Sequence, residues 1–373
     1  MIKIVPAFVK IFEDFDAVFE LQAERQRPRI GVTDGIEAKV AEITKGADTD
    51  RDRVARIYHW VQENIRYVSI KGSLGAGWSG HTAQETFENR YGDCTDKAII
   101  FATMCKAVDI TAYPIILRTN DAGTGTVDIP TLDANHAINE VVFDDGTSQY
   151  LDSTAQNFRY PYFRPDDHGA YAINAIRGDI RLIPVPPPQA NARHSTLDLS
   201  IAANGDVRVA TRNRYTGTFE AGIRGYWKRV REDERAQRMT EYVNMISPGA
   251  VLEDFSLSDL DDLSRQLTMG IDYALPRHAV RARDLMYMRV PTLERDFPEI
   301  ALEQRQFPIE YTTTEQRVLD VTMLLPPGFH VKWTPEPLRI ESPYLDYHAV
   351  YEETDGRLDL HQEWRRKVRE VPP

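Results

Sequence analysis

The chain has 373 residues, 42% apolar and 27% charged, with a net charge of −12 when histidine is neutral. That balance is typical of a soluble globular protein of two or three domains. It excludes a collagen-like chain, a coiled-coil rod and long disorder as the main architecture. The apolar runs fall far short of the roughly 20 residues that cross a bilayer, and the acidic balance speaks against phosphate-backbone binding, so neither a membrane span nor a nucleic-acid partner is expected. No basic start followed by an apolar core opens the sequence, so no signal peptide is expected within it.

Residues 1–30 read as an arm. Phe8, Ile11, Phe12, Phe15, Val18, Phe19 and Leu21 recur at helical spacing. A helix capped by Thr33 or Asp34 and stopped by Gly46 follows. The next, capped by Asp48 or Thr49, carries a stripe of Val54, Ile57, Tyr58, Val61 and Ile65. Four glycines in KGSLGAGWSG (71–80) break regular structure, and a short helix is expected from about Ala83 to Arg90. A further helix begins near Cys94, its stripe formed by Ala98, Phe101, Ala102, Cys105 and Val108. The period then switches. AYPIILRT reads as a buried strand, and AINEVVF and SQYLDST flank a turn at Asp144-Asp145-Gly146. Helices first and antiparallel strands after make an α+β core over residues 31–183.

Four prolines in the five positions from Pro184 to Pro188 mark a stiff linker, 184–190, and a domain boundary. Residues 191–373 then read as a mainly antiparallel β-sandwich with hairpin turns at Asn204-Gly205 and Asp355-Gly356. One long helix, about Phe219 to Ile246, interrupts it.

There are two cysteines, Cys94 and Cys105. Eleven residues along one helix separate them by about 16 Å, beyond disulfide reach. Cys105 lies on the apolar stripe and packs the helix. Cys94 stands among Asp93, Thr95 and Asp96 at the helix start, where unpaired N–H groups and the helix dipole favour an anion. A reactive thiol needs a base, and the base an orienting group. With a three-residue turn at 144–146, Phe143 pairs with Thr147, and Asp152 falls opposite Ile138, diagonal to His136. That lies within reach of a histidine–carboxylate hydrogen bond; a two-residue turn would separate their faces. Clustered metal-ligand motifs and phosphate-binding glycine motifs are missing, so no metal and no cofactor are expected.

The run VARIYHWVQENIRYVSI, the segment GDCTDKA (92–98), the strand NHAINEVVF and the strand YLDST together resemble the transglutaminase-like core of the papain-like cysteine enzyme clan. The closest resemblance is to bacterial members whose motif reads Gly-Asp-Cys-Lys-Asp-Lys-Ala; Thr95 is the one departure, and it removes a positive charge beside the thiol. The resemblance implies a triad of Cys94 as nucleophile, His136 as base and Asp152 as orienting carboxylate. It implies an oxyanion site from the Cys94 N–H and an upstream side chain, for which Trp78, His81 and Gln84 are candidates with Trp78 foremost. It implies acyl transfer on amide bonds of protein or peptide substrates through a thioester, hydrolysis being favoured over cross-linking, and a bacterial periplasmic or extracytoplasmic setting. The alternative from another class is a catalytically idle scaffold that binds proteins or glycans through its C-terminal β domain. Oligomeric state is not readable.

Overall fold

The computed structural model describes residues 12–69, 80–123, 127–292 and 304–373. The chain divides into two compact units, residues 1–185 and 186–373. Among the described residues no helix is long and apolar enough to cross a membrane.

The first unit opens with helices α1 (Phe15–Gln26), α2 (Asp34–Ile43) and α3 (Asp50–Asn64). Thr49 and Asp52 close a reciprocal cap at the start of α3, and its apolar stripe of Val54, Ile57, Tyr58 and Val61 is wholly buried. A two-residue parallel bridge joins β1 (Arg66–Tyr67) to β2 (Tyr91–Gly92), on either side of α4 (Ala83–Asn89). Helix α5 (Cys94–Lys106) then packs against a five-stranded antiparallel sheet. Its strands are β3 (Thr111–Leu117), β4 (His136–Val142), β5 (Ser148–Leu151), β6 (Tyr171–Asn174) and β7 (Asp179–Leu182), in the order β5-β4-β3-β6-β7.

The single stripe expected on α5 is too narrow a reading. Every residue from Thr95 to Cys105 is buried, because α2, α3, α4 and the sheet surround the helix. Even Lys97 is fully enclosed. Its Nζ donates to the carbonyls of Val61 (3.0 Å) and Ile65 (2.5 Å), which end α3. Burial pushes this lysine down to about 8, with the charge of Asp152 pulling the other way.

The second unit begins with the hairpin β8 (Ala192–Ile201) and β9 (Val207–Tyr215). Gly205 in its turn has φ +90°, and a Cβ there would lie 2.2 Å from the Ala279 carbonyl oxygen. Two helices follow where one was expected: α6 (Gly217–Arg229) and α7 (Arg235–Ile246). Val230 takes an extended backbone (ψ 122°), and the Arg231 guanidinium turns onto Asp233 in the intervening turn. The β-branched residue and this local pairing break the helix that the periodicity predicts.

The later strands are β10 (Val251–Leu257), β11 (Thr268–Leu275), β12 (Val280–Ala282), β13 (Leu285–Tyr287), β14 (Ile309–Glu310), β15 (Glu315–Leu324), β16 (Leu338–Glu341), β17 (Leu345–Thr354), β18 (Arg357–Arg366) and β19 (Glu370–Val371). Eight of the unit's strands form one sheet, β10-β11-β9-β8-β15-β18-β17-β16, instead of the two stacked sheets of a sandwich. The reason is the pair β8–β15, which runs parallel from Ala192–Gln316 to Ser200–Leu324 and joins two antiparallel halves edge to edge. The core beneath includes Leu197, Val209, Trp227, Met239, Ile271 and Val321.

Within α6, Arg224 and Glu220 are both enclosed, 0% and 1% exposed, with their charged atoms 3.0 Å apart. Arg224 also donates to the carbonyls of Asp259, Leu260 and Arg265. Arg224→Met leaves Glu220 without its cation and should cost roughly 3–5 kcal/mol. Urea unfolding followed by circular dichroism measures this; a loss under about 1 kcal/mol would show the pair to be unimportant.

Candidate functional site

The local sequence places a thiol at a helix start. Asp93 caps α5 in an extended conformation, and its Oδ1 accepts from the N–H groups of Thr95 (2.9 Å) and Asp96 (3.1 Å). Asp96 answers by accepting from the Asp93 N–H (2.9 Å). The Cys94 N–H meets no acceptor among the described residues. Gly92 permits this geometry, since a Cβ there would stand 2.4 Å from the Asp96 Cβ. The Cys94 side chain is half-buried against Ala98, Ile116 and Ala137.

His136 begins β4 and Asp152 follows directly on β5. The hairpin between them keeps the three-residue turn: Phe143 pairs with Thr147, Asn139 with Leu151, and the register sets Asp152 across from Ile138. His136 Nε2 lies 3.1 Å from Asp152 Oδ2, and the Cys94 side chain is close enough to the same imidazole to raise it. With Nε2 held by Asp152, Nδ1 is the nitrogen left for the thiol. Asp152 is wholly buried. Its Oδ1 accepts from the N–H (2.8 Å) and hydroxyl (2.6 Å) of Thr154, and Arg164 Nε stands 3.7 Å from Oδ2. The Tyr58 hydroxyl lies within hydrogen-bond distance of the Asp152 (3.1 Å) and Tyr162 (2.9 Å) carbonyls.

The electrostatics follow from this packing. Burial works against a charged His136, but the Asp152 charge and hydrogen bond outweigh it and hold the imidazole well above its ordinary value. Burial raises Asp152, and the partnership with His136 brings it below the usual carboxylate range.

A third acid completes the cluster. Asp167 is fully buried, its Oδ1 4.0 Å from His136 Nε2, and neither of its oxygens has a hydrogen-bond partner among the described residues. Burial first, and then the negative charge of Asp152, push it well above its ordinary value. Two such close carboxylates share one charge, and Asp152 keeps it. His136, Asp152 and Asp167 are also the one cluster among the described residues whose donor atoms, all within 4.8 Å, could hold a metal ion.

The other candidates fall elsewhere. His81 sets Nδ1 3.0 Å from Asp96 Oδ2 and gives its N–H to the same carboxylate; that hydrogen bond raises its imidazole against the opposing effect of burial. His81 thus braces the α5 cap. Gln84 spends its amide on Thr33 and Glu88. Trp78 lies outside the described residues. Sequence reasoning missed Asp167 and Arg164, which arrive from an irregular segment with no periodic signal. It also missed Tyr67, whose hydroxyl is raised by burial and by its closeness to Cys94.

Residues 37–153 match the model of the transglutaminase-like superfamily core. This segment is a transglutaminase-like superfamily domain. The solved structure of a "putative protease" from Parabacteroides distasonis aligns with 97% of the chain at TM-score 0.57 and 11% identity, a likeness of fold. The chain spans 54% of that protein. A "putative cysteine protease" from Cytophaga hutchinsonii aligns with 35% of the chain and 42% of its own, at TM-score 0.27 and 19% identity. No curated protein matches.

The raised Asp167 yields a pH test. Its folded value lies above the unfolded one of about 3.9, so stability present below that pH is lost as pH rises through the folded value. Asp167→Asn cannot ionise. The difference in Tm between variant and wild type should therefore move in the variant's favour from pH 4 to pH 7, and a flat difference in calorimetry would count against the assignment.

Proposed function

We propose that the protein is a cysteine acyl-transfer enzyme that cleaves amide bonds of peptide or protein substrates through a thioester on Cys94, with water as the usual acceptor. One observation carries this reading: a half-buried thiol at a helix N-terminus stands beside an imidazole whose Nε2 lies 3.1 Å from a wholly buried carboxylate.

In this mechanism one proton passes from the Cys94 thiol to the His136 imidazole. The thiolate attacks the substrate carbonyl carbon. The oxyanion that develops is met by the Cys94 N–H, a donor in the first turn of α5. His136 returns its proton to the nitrogen as the C–N bond breaks, and the amine leaves. A water then gives a proton to His136 and its oxygen to the acyl carbon. The C–S bond breaks, and thiolate and imidazolium are restored. Asp152 stays ionised throughout and fixes the imidazole through Nε2. A primary amine in place of water would make the same chemistry a transamidation.

Cys94→Ala should abolish amine or ammonia release from peptide and glutamine-containing protein substrates. His136→Ala should lower it by roughly 10³-fold or more, and Asp152→Asn by about 10²–10⁴-fold. At pH 6 iodoacetamide should alkylate Cys94 faster than a free thiol, and leave enclosed Cys105 untouched. Equal reactivity, together with turnover unchanged in Cys94→Ala, would favour the idle scaffold. A chelator should leave turnover intact. Loss with EDTA and recovery with zinc would move the reading to the His136, Asp152 and Asp167 cluster as a metal centre.

A further inference from the structure

One face of the eight-stranded sheet in the second unit borders a cavity of about 1230 Å³, more than the roughly 300–1,000 Å³ of ordinary small-molecule pockets. Its described walls carry five arginines, Arg193, Arg289, Arg305, Arg317 and Arg366, and no aspartate or glutamate. In a chain of net charge −12 this is a local reversal of sign.

Arg193 on β8 and Arg317 on β15 are direct register partners, a like-charge pair that destabilises a sheet unless an anion lies near. Arg317 is answered by Glu315 on its own strand. Arg193 meets only neutral groups, the Ser195 hydroxyl (3.1 Å) and the Asn213 amide oxygen (3.4 Å), together with the Tyr242 hydroxyl. Arg305 gives one nitrogen to the Pro372 carbonyl (2.9 Å), while its other terminal nitrogen is enclosed without a partner among the described residues. Neither guanidinium has a carboxylate within ion-pair distance among the described residues.

The rest of the wall is apolar and aromatic. The register row that starts at Arg193 and Arg317 continues through Trp364 on β18 to Tyr347 on β17. Ile271 and Tyr273 on β11 and Ile246 on α7 extend the apolar surface. Two guanidiniums with no carboxylate partner among the described residues, beside a long aromatic and aliphatic wall, match one ligand chemistry: an anionic head on an extended apolar body.

We propose that the second unit binds an anionic amphiphile, an acyl or alkyl chain ending in a carboxylate or a phosphate monoester, with Arg193 and Arg305 receiving the head. The lining residues all belong to the second unit, and the proposal does not rest on acyl transfer at Cys94 in the first.

The test uses the full chain and isothermal titration below each probe's micellar concentration, with dodecanoate, dodecyl phosphate and dodecyl maltoside, which share one tail. Saturable one-site binding of an anionic probe, at least roughly tenfold tighter than the neutral maltoside, is expected. The preferred head, carboxylate or phosphate, tells a fatty acid from a phospholipid-like ligand. Arg193→Gln combined with Arg305→Gln should weaken the anionic probes by roughly tenfold or more and leave the maltoside unchanged. Arg193→Lys, which keeps the charge and unsettles the fold least, should retain preference for the anionic heads. Equal affinity for neutral and anionic probes, absence of saturable binding, or undiminished anion binding in the folded double variant would each overturn the proposal.

Discussion

The register of the β4–β5 hairpin is the constraint on which the candidate site rests. Three residues at 144–146 make the turn, and counting outward from Phe143 and Thr147 brings Asp152 diagonally to His136. One residue fewer would turn the carboxylate to the other face of the sheet. The rest is arranged around that diagonal. Thr154 fills the second oxygen of Asp152, Tyr58 secures its backbone, and Arg164 adds positive charge at its side. Thr154 and Arg164 answer the carboxylate and Tyr58 its backbone, so the group that raises His136 is itself held in place.

Helix α5 supplies the other half. Its N-terminal cap is reciprocal, so the orientation of the first turn is set by Asp93 and Asp96 rather than by the cysteine between them. His81 and Gly92 serve the same carboxylate, one by donating to it and one by making room for it. Lys97 fastens the helix to the end of α3. The thiol is carried by a helix enclosed from Thr95 to Cys105, and the Cys94 N–H is the donor in that turn with no acceptor among the described residues. Positional accuracy of this kind is what transition-state stabilisation by fixed dipoles requires.

Much of this was legible from local signals. The polar neighbours of Cys94 placed it at a helix start, the stripe position of Cys105 gave it a packing role, and the Asp-Asp-Gly turn marked the hairpin while leaving a two- or a three-residue turn open. What escaped was non-local. Asp167 and Arg164 belong to an irregular segment, and only the folded chain brings them to His136. The break after Arg229 depends on a turn stabilised by Arg231 and Asp233, against a helical period that continues through it. The single sheet of the second unit depends on β8 meeting β15 about 120 residues later, and no short-range pattern announces a parallel partner.

That parallel pair also orders how the second unit can be assembled and divided. β15 sits between β8 and β18, so the sheet is stitched at its middle by a strand synthesised late. The hairpins β8–β9 and β17–β18 can form from near neighbours in sequence. Joining them must wait until most of the unit has left the ribosome, and pays the entropy of closing a long loop. Until then β8 presents an open edge of unpaired amides, the kind of surface that recruits stray strands. A shortened chain ending before Glu315 would keep that edge permanently, so the natural cut points of this protein lie at the proline segment and not within the β unit.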